Sequence, residues 1–247
     1  MAGAVKVLLL GGTAEARQVA AWSAGEPGVE VISSLAGRTA EARLPEGAVR
    51  HGGFGGVDGL VGWLAEHQVD AVVDATHPFA ATMTDHAAHA AHVVGVPLLV
   101  LRRAGWRERV GDRWFWVDSA EEAARALAGL GSRAFLTIGR QGLGRFAEAG
   151  LWMIARCVDP PEPLPSWCEL ILDRGPYDVQ GELKLLRHHK IDLLVTKDSG
   201  GSMTSAKLAA ARELGIPVVL IRRPALPSGV AAVETVDRVV EWLRDRR

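Results

Sequence analysis

Two glycine loops in this sequence are candidates for binding anions. GGT at residues 11–13 and KDSGG at residues 197–201 each follow a short apolar run and precede a stretch typical of a helix. Glycine allows close approach of the backbone to a ligand, and a helix N-terminus offers amide N–H groups and the positive end of its dipole. The first loop therefore has the context of a dinucleotide site, although the full G-x-G-x-x-G pattern is not met. A plain strand–helix turn is the alternative.

The residues after the second predicted strand indicate the type of dinucleotide. NAD enzymes usually carry an acidic residue there, which binds the ribose 2′-hydroxyl. This chain instead reads VISSLAGRT, with Ser33, Ser34 and Arg38. Hydroxyl groups and a guanidinium suit a 2′-phosphate, so we predict NADPH as the cofactor, with a polar loop that binds no ligand as the alternative. Phe54, in HGGFGG, would either cover the adenine or pack within its loop.

Basic residues in the second half of the chain favour an acidic small molecule. Arginine binds carboxylates in a bidentate fashion, so several arginines around one cleft suggest a ligand with many acidic groups. Lys197 and Asp198 would offer a charge and a proton-transfer group side by side, with a structural ion pair as the alternative. The arginines predicted to lie at strand ends or in loops are Arg102, Arg103, Arg140, Arg174, Arg222 and Arg223.

Composition argues against several other classes of protein. With 247 residues and a net charge of −1, the chain has no general attraction to nucleic acid or to an anionic membrane. Its apolar runs fall short of the roughly 20 residues of a membrane span. Cys157 and Cys168 lack a metal-type spacing and fit a reducing compartment. We expect a cytoplasmic monomer or small homo-oligomer without nucleic-acid or membrane partners.

Missing motifs narrow the chemistry further. Tyr177 is the only tyrosine, and Gly181 stands four residues later, so the Tyr-x-x-x-Lys mechanism of short-chain dehydrogenases is excluded. The sequence has no G-x-S-x-G motif, which argues against an α/β-hydrolase. His86, His89 and His92 are spaced by three without a Glu-x-x-His or Cys partner. A solvated helix face is therefore favoured, and no metal site is predicted.

Short apolar runs alternate with helical stretches, which predicts an α/β protein with mainly parallel sheets. Residues 69–103 and 191–223 form a repeat, with Met-Thr, Gly-x-Pro and Arg-Arg in common register. In this register KDSGG corresponds to THPFA at residues 76–80, and GGTAEA corresponds to TIGRQG at residues 137–142. We predict two Rossmann-like halves, at residues 1–103 and 104–247, with the ligand cleft between them. The last strand and helix could cross to the first half.

Six motifs together resemble the precorrin-6A reductase family of cobalamin biosynthesis. They are LLLGGTAEAR, GGFGG, VVDATHPFA, TIGRQG, DRGPY and VTKDSGG, and they span nearly the whole chain. The resemblance implies NADPH-dependent reduction of one double bond of the precorrin-6A macrocycle to give precorrin-6B. It also implies two Rossmann-like halves that could exchange a strand. The motif DRGPY departs from the family pattern at Asp173, where a smaller residue is expected.

These observations predict that the first half holds NADPH and the second half holds a polycarboxylate tetrapyrrole. Hydride would pass to C19 and a proton to C18, with THPFA beside the nicotinamide and KDSGG beside the macrocycle. A non-catalytic NADP sensor and a reductase of another polycarboxylate are the alternatives. The predicted catalytic residues are Asp198, Lys197 and His77. The predicted cofactor-binding residues are Gly11, Gly12, Thr13, Ser33, Ser34, Arg38, Phe54 and Thr76. The predicted substrate-binding residues are Arg140, Arg174, Tyr177, Ser199, Gly200, Gly201 and Arg222.

Overall fold

The computed structural model describes residues 4–37 and 44–246, and it divides into two compact units. Unit 1 comprises Met1–Arg103 together with Pro224–Arg247, and unit 2 comprises Ala104–Arg223. The predicted second domain, 104–247, therefore requires a correction at its end, in the direction of the alternative that its last strand and helix cross to the first half. Residues 224–247 belong to unit 1, because the strand and helix that they form pack on the sheet of that unit.

The chain order of the elements repeats between the two units. The first segment of unit 1 contains β1 (Val5–Leu10), α1 (Ala14–Ala24), β2 (Val29–Leu35), β3 (Ala48–His51), α2 (Val57–Glu66), β4 (Ala71–Asp74), α3 (Ala81–Val94) and β5 (Leu98–Leu101). Unit 2 contains β6 (Trp114–Val117), α4 (Ala120–Ala126), β7 (Arg133–Thr137), a 3-10 helix (Arg140–Phe146), β8 (Trp152–Cys157), β9 (Glu169–Leu172), α5 (Val179–His188), β10 (Leu193–Lys197), α6 (Ala206–Glu213) and β11 (Val218–Ile221). The chain then returns to unit 1 with β12 (Ala231–Val233) and α7 (Val236–Arg244).

Each unit is built on one six-stranded parallel sheet. The order is β12-β5-β4-β1-β2-β3 in unit 1 and β6-β11-β10-β7-β8-β9 in unit 2. The five strands β3-β2-β1-β4-β5 follow the Rossmann order, and the corresponding strands of unit 2 do the same. The edge strands are exchanged: β6 follows β5 in the chain but pairs with β11, whereas β12 follows β11 but pairs with β5. The predicted α/β class with two Rossmann-like halves is confirmed.

Helices cover both faces of the sheet in unit 1, as parallel sheets require. Leu9 of β1 packs with Val19 of α1 and Val239 of α7. Leu8, whose side chain points to the other face, packs with Leu60 of α2. A corresponding cluster joins the sheet of unit 2 to α5 and α6. Among the residues described, none of the helices is long and apolar enough to cross a membrane.

The repeat predicted from the sequence has a structural counterpart just before β4 and β10, where each unit carries an aspartate. In unit 1 the Asp70 carboxylate accepts a hydrogen bond from the Lys6 N–H at 2.8 Å. In unit 2 Asp192 accepts from the Arg133 N–H at 2.8 Å and from the Ser132 N–H and hydroxyl. Burial raises the pKa of Asp192, but these hydrogen bonds outweigh burial, so the pKa is lowered overall. Both aspartates therefore satisfy backbone amides that the sheet leaves unpaired.

Candidate ligand sites

The loop after β1 is organised by Thr13, the N-cap of α1. Its Oγ accepts a hydrogen bond from the Ala16 N–H at 3.1 Å and donates one to the Ala75 carbonyl at 2.7 Å. The first bond caps the helix, and the second ties this loop to the loop after β4. Gly12 has φ of +111°, and the space around a Cβ there is open. The loop thus offers a glycine backbone and the N-terminal amides of α1, which fit a pyrophosphate.

The carboxyl ends of β2 and β3 bring a second guanidinium to the predicted 2′-phosphate site. Arg50 donates to the Ser34 hydroxyl at 2.7 Å and to the Gly52 carbonyl at 3.0 Å. Its guanidinium lies 3.7 Å from the centroid of the Phe54 ring. Phe54 therefore packs between Arg50 of β3 and Trp63 of α2, whose ring centroid lies 5.7 Å away. A contact of Phe54 with adenine stays a prediction. Arg38 lies outside the described residues.

Arg50 was missed by the sequence analysis, although it directly precedes HGGFGG. It meets Ser34 because β2 and β3 pair in parallel, with Ser34 opposite Arg50. Burial lowers the pKa of Arg50, but the group stays a cation because a guanidinium is not deprotonated in proteins. Ser33 is buried, and its hydroxyl has no hydrogen-bond partner among residues 4–37 and 44–246. The fit to a phosphate ester at this edge thus rests on Ser34 and Arg50.

The loop after β4, THPFA, is fixed by the buried carboxylate of Asp74. This carboxylate accepts hydrogen bonds from the Thr76 N–H at 3.0 Å, the Thr76 hydroxyl at 2.7 Å and the Thr84 hydroxyl at 2.6 Å. These donors are neutral. His77 is exposed, and its Nδ1 accepts from the Phe79 N–H at 3.2 Å. The structure therefore places Thr76 and His77 near Thr13, at the same sheet edge.

The loop after β10, KDSGG, is fixed by charged groups instead. The buried Asp198 carboxylate pairs with Arg223 at 3.0 Å and accepts from the Trp106 N–H at 2.9 Å. Asp198 thus takes part in a structural ion pair, and its partner in that pair is Arg223. Lys197 is partly buried, and burial lowers the pKa of its ammonium. The Trp106 indole N–H donates to the Gly201 carbonyl at 2.9 Å.

Gly200 closes this loop tightly. Its φ is +64°, and a Cβ there would overlap the Ala104 carbonyl oxygen and Nη2 of Arg223. Glycine is therefore required both by the backbone conformation and by the space. Ser199 lies two residues after the end of β10, and its N–H donates to the Lys197 carbonyl at 2.7 Å. The loop is a compact turn, and the Arg223 guanidinium stabilises it through its contacts with Asp198.

Three of the arginines predicted to make the site cationic are in ion pairs. Arg103 contacts Glu15 of the first turn of α1 at 2.9 Å, and Arg222 contacts Asp118 at 2.9 Å. The third pair is that of Arg223, described above. The Arg222 pair is largely exposed, so its energy is small. Arg222 and Arg223 also line a pocket of about 400 Å³ in unit 2 with Trp116 and Asp198.

The other predicted substrate residues also lie at the carboxyl edge of the unit 2 sheet. Arg140 follows β7 and is exposed, with its guanidinium 3.4 Å from the Pro160 carbonyl. Arg174 follows β9 and is exposed. Tyr177 is half-buried, and its hydroxyl donates to the Asp173 carbonyl at 3.1 Å. The parallel topology alone brings these residues to one edge.

A buried charged cluster beneath this edge was missed by the sequence analysis. Arg156 of β8 and Glu182 of α5 form a buried pair at 2.7 Å, and the Arg156 guanidinium lies 3.6 Å from the centroid of the Tyr177 ring. Lys207 of α6 is 3% exposed. Burial, together with repulsion from Arg156, lowers the pKa of Lys207 to about 7, although Glu182 acts in the opposite direction. The only sequence signal for this cluster is a basic residue within a mainly apolar element. That signal is weak, because the apolar pattern around it already accounts for the helix or strand.

The residues described include no group of three or more His, Cys, Asp or Glu side chains that could hold a metal ion. Two units, each with a parallel sheet in the Rossmann order, one with a glycine loop and the other with a basic edge, define a two-domain α/β protein of the Rossmann type.

The chain belongs to the family described as Precorrin-6x reductase CbiJ/CobK, which it matches over residues 6–244. It is 53% identical over 240 residues to precorrin-6A reductase of Rhodococcus erythropolis, covering 96% of this chain and 97% of the relative. It is also 53% identical over 241 residues to precorrin-6A reductase of Mycobacterium tuberculosis (strain ATCC 25618 / H37Rv), covering 96% and 97%. The resemblance inferred from the six motifs is thereby confirmed.

A solved structure described as CobK precorrin-6A reductase has the same fold. It superposes with a TM-score of 0.91 at 44% sequence identity, covering 98% of this chain and 96% of the other. Because the match extends over both units, it includes the glycine loop of unit 1 and the basic edge of unit 2.

Proposed function

We propose that this protein reduces one double bond of precorrin-6A with NADPH and gives precorrin-6B, a step of cobalamin biosynthesis. The observation that carries the proposal is the match over both units to relatives named precorrin-6A reductase. The chemistry of the two sheet edges supports it. One edge suits a dinucleotide phosphate, and the other suits a ligand with many carboxylates.

Unit 1 would bind NADPH through two groups of residues. Gly11, Gly12 and Thr13 would hold the pyrophosphate at the N-terminus of α1. Ser34 and Arg50, together with Arg38, would hold the 2′-phosphate, because a guanidinium fork matches phosphate oxygens. The Arg50–Ser34 hydrogen bond supports this assignment, since it preorganises both groups at the end of β2. Phe54 would then border the adenine with the guanidinium of Arg50 on its ring.

Unit 2 would bind the peripheral carboxylates of the macrocycle. Its exposed and partly buried cations at the carboxyl edge provide charge, and the KDSGG loop provides a hydroxyl and backbone amides. The positive φ values of Gly200 and Gly201 shape a concave backbone turn that suits an anion. The residues proposed to contact precorrin are Arg140, Arg174, Tyr177, Lys197, Ser199, Gly200, Gly201 and Arg222.

When bound, NADPH supplies a hydride, which we propose reaches C19 of the macrocycle while a proton reaches C18. The chain must position the two ligands and deliver that proton. We propose Lys197 as the proton donor, because burial lowers the pKa of its ammonium and makes it a stronger acid. Thr76 would border the nicotinamide, and His77 is the second candidate donor at that edge.

Asp198 was predicted to be a catalytic, proton-transfer residue. Its ion pair with Arg223 and its hydrogen bond from Trp106 favour a positioning role instead, because both carboxylate oxygens are already engaged by protein donors. We therefore propose that Asp198 holds the KDSGG loop in place and that Lys197 performs the chemistry.

The proposed function is tested by anaerobic assays of the purified protein with precorrin-6A, with its cobalt-containing counterpart, and with NADPH or NADH. We expect reduction of metal-free precorrin-6A with NADPH, in line with the names of the relatives at 53% identity. Absence of reduction with both tetrapyrroles, despite tight NADPH binding, would overturn the proposal and favour a cofactor sensor.

The assignment of the 2′-phosphate site is tested by Arg50→Met and Arg38→Ala. Loss of one charge-assisted hydrogen bond costs about 1.5–3 kcal/mol, so each variant should bind NADPH about 10- to 100-fold more weakly. Affinity for NADH should change little, because NADH lacks the phosphate. Equal losses for both cofactors would place the arginine elsewhere. Arg17→Met, a neutral substitution of an arginine on α1, serves as the matched control.

A further inference from the structure

Lys207 in α6 is a buried lysine next to the loop that we assign to the substrate. Its side chain is 3% exposed, and its ammonium donates to the Thr204 carbonyl at 2.9 Å. The same ammonium lies 4.9 Å from the centroid of the Trp106 ring, within the range of a cation–π interaction. Lysine is rarely buried completely, because desolvation of its charge is costly. The contacts of Lys207 must therefore offset that cost.

Trp106 connects Lys207 to the other end of the loop. The Trp106 backbone N–H donates to the Asp198 carboxylate at 2.9 Å, and its indole N–H donates to the Gly201 carbonyl at 2.9 Å. Lys207 thus stabilises residues 198–204 through two interactions. It binds Thr204 directly, and it packs against the indole that binds Asp198 and Gly201.

The charged and titratable groups around Lys207 come from three other elements. Arg156 of β8 repels its ammonium, and Glu182 of α5 attracts it. These two residues pair with each other at 2.7 Å, and the second carboxylate oxygen of Glu182 has no hydrogen-bond partner in the part of the chain that the structure describes. Tyr177, whose ring lies on Arg156, donates its backbone N–H to the Met203 carbonyl at 3.3 Å. The cluster therefore supports both DRGPY and the loop at 198–204.

We propose that Lys207 is a positioning residue that holds residues 198–204 in the conformation that binds precorrin-6A, without touching the substrate itself. The inference rests on the proposed function for the identity of the ligand. The structural part, a clamp formed by Lys207 and Trp106, can be measured without any ligand.

The clamp is tested in the full-length protein by Lys207→Met, which keeps the length of the side chain and removes its charge and its hydrogen bonds. Lys184→Met, the same change at an exposed position of α5, is the matched control. We expect amide hydrogen exchange at residues 198–205 to accelerate at least tenfold in Lys207→Met, with residues 75–81 of unit 1 unchanged. Trp106→Phe, which keeps a ring but loses the indole N–H, should accelerate exchange at the same segment. Unchanged exchange there in both variants would overturn the clamp.

The positioning role is tested by steady-state kinetics. Lys207→Met should raise the KM for precorrin-6A about tenfold while the KM for NADPH stays within twofold. Thermal stability should be retained or increased, because Met keeps the apolar contacts of the side chain and removes the desolvation cost of its charge. The ratio of the two precorrin KM values, variant over wild type, should be largest below about pH 7, where Lys207 is a cation, and should fall as the pH rises.

The possible outcomes separate the proposals. Equal rises in KM for both ligands together with a lower melting temperature would show a merely structural lysine and overturn the positioning role. An unchanged precorrin KM in an active enzyme would do the same. A wild-type protein that reduces no tetrapyrrole would instead overturn the proposed function, and the hydrogen exchange result would still decide whether the clamp exists.

Discussion

The loop after β4 and the loop after β10 occupy equivalent places in two sheets with the same strand order, yet they are held by different chemistry. In unit 1 the Asp74 carboxylate accepts from neutral donors on Thr76 and Thr84. In unit 2 the Asp198 carboxylate pairs with the cation of Arg223, and a second cation, Lys207, lies beneath the loop. Topology therefore fixes where a ligand loop lies, and local side chains decide its electrostatic character.

The loops after the central strands β1 and β7 differ as well. After β1 the chain enters the regular helix α1, capped by Thr13. After β7 it enters a 3-10 helix without a side-chain cap. The aligned amides of a capped α-helix suit a pyrophosphate, and α1 supplies that feature in unit 1. The two units thus share a framework whose loops suit different ligands.

The largest expected effect comes from removing the Asp198 carboxylate, which holds the loop after β10. Asp198→Ala would remove the carboxylate that pairs with the poorly exposed guanidinium of Arg223 and leave the hydrogen bonds of that guanidinium to the backbone carbonyls of residues 198 and 104. Breaking one side of a buried pair costs about 3–5 kcal/mol, which should appear as a lower free energy of unfolding in urea titrations followed by circular dichroism. Asp74→Ala in unit 1 removes only hydrogen bonds from neutral donors and should cost about 1–3 kcal/mol. Equal losses would contradict the contrast between the two units.

Gly200→Ala should come next in size. The added Cβ would overlap the Ala104 carbonyl oxygen and Nη2 of Arg223, and the positive φ disfavours a side chain. We expect a loss of about 2–4 kcal/mol from strain and overpacking. Gly12→Ala in unit 1 meets open space and should cost only the backbone term of about 1–2 kcal/mol. The comparison is made by thermal unfolding, and a Gly12 variant that is the less stable of the two would show that crowding is not the deciding factor.

The pH dependence of stability should reveal Lys207, the lysine that unit 2 buries beneath the loop after β10. The pKa of Lys207 falls from 10.5 to about 7 on burial, so between these values the unfolded chain binds more protons than the folded one. Stability should therefore rise with pH across this window, by at most about 1.4 kcal/mol per pH unit, and this contribution is constant below about pH 7. Lys207→Met should lose this slope and Lys184→Met should keep it, as measured by urea unfolding from pH 6 to 10. Identical slopes in all three proteins would argue against a neutral Lys207 at alkaline pH.

The smallest effect concerns the helix cap of unit 1. Thr13→Val removes the hydroxyl that caps α1 and binds the Ala75 carbonyl, which should cost about 1 kcal/mol. Ser119→Ala removes the N-cap of α4 in unit 2 and should cost a similar amount. Calorimetric titration with NADPH should show weaker binding only for Thr13→Val. A similar loss of affinity in both variants would place the cofactor outside the α1 loop.

Local sequence signals predicted most of the fold. The strands and helices follow from apolar runs, glycine and proline turns, and helix caps, all of which act over a few residues. The repeat also predicted which segments correspond. The carboxylates of Asp70 and Asp192 confirm this, because each accepts a hydrogen bond from a backbone N–H, of Lys6 and of Arg133 respectively. The exchange of β6 and β12 could not be derived in this way, because each edge strand pairs with a strand of the other repeat.

For the candidate sites, the sequence by itself determined which loops lie at the carboxyl edges and that one edge is rich in cations, because parallel topology sends successive strand ends to one side of a sheet. Only the tertiary structure decided which side chains form hydrogen bonds and ion pairs with one another at these edges. Ser34 meets Arg50 through the register of β2 and β3. Asp198 pairs with Arg223, 25 residues further along the chain, because β10 and β11 pair in parallel and bring their carboxyl ends together.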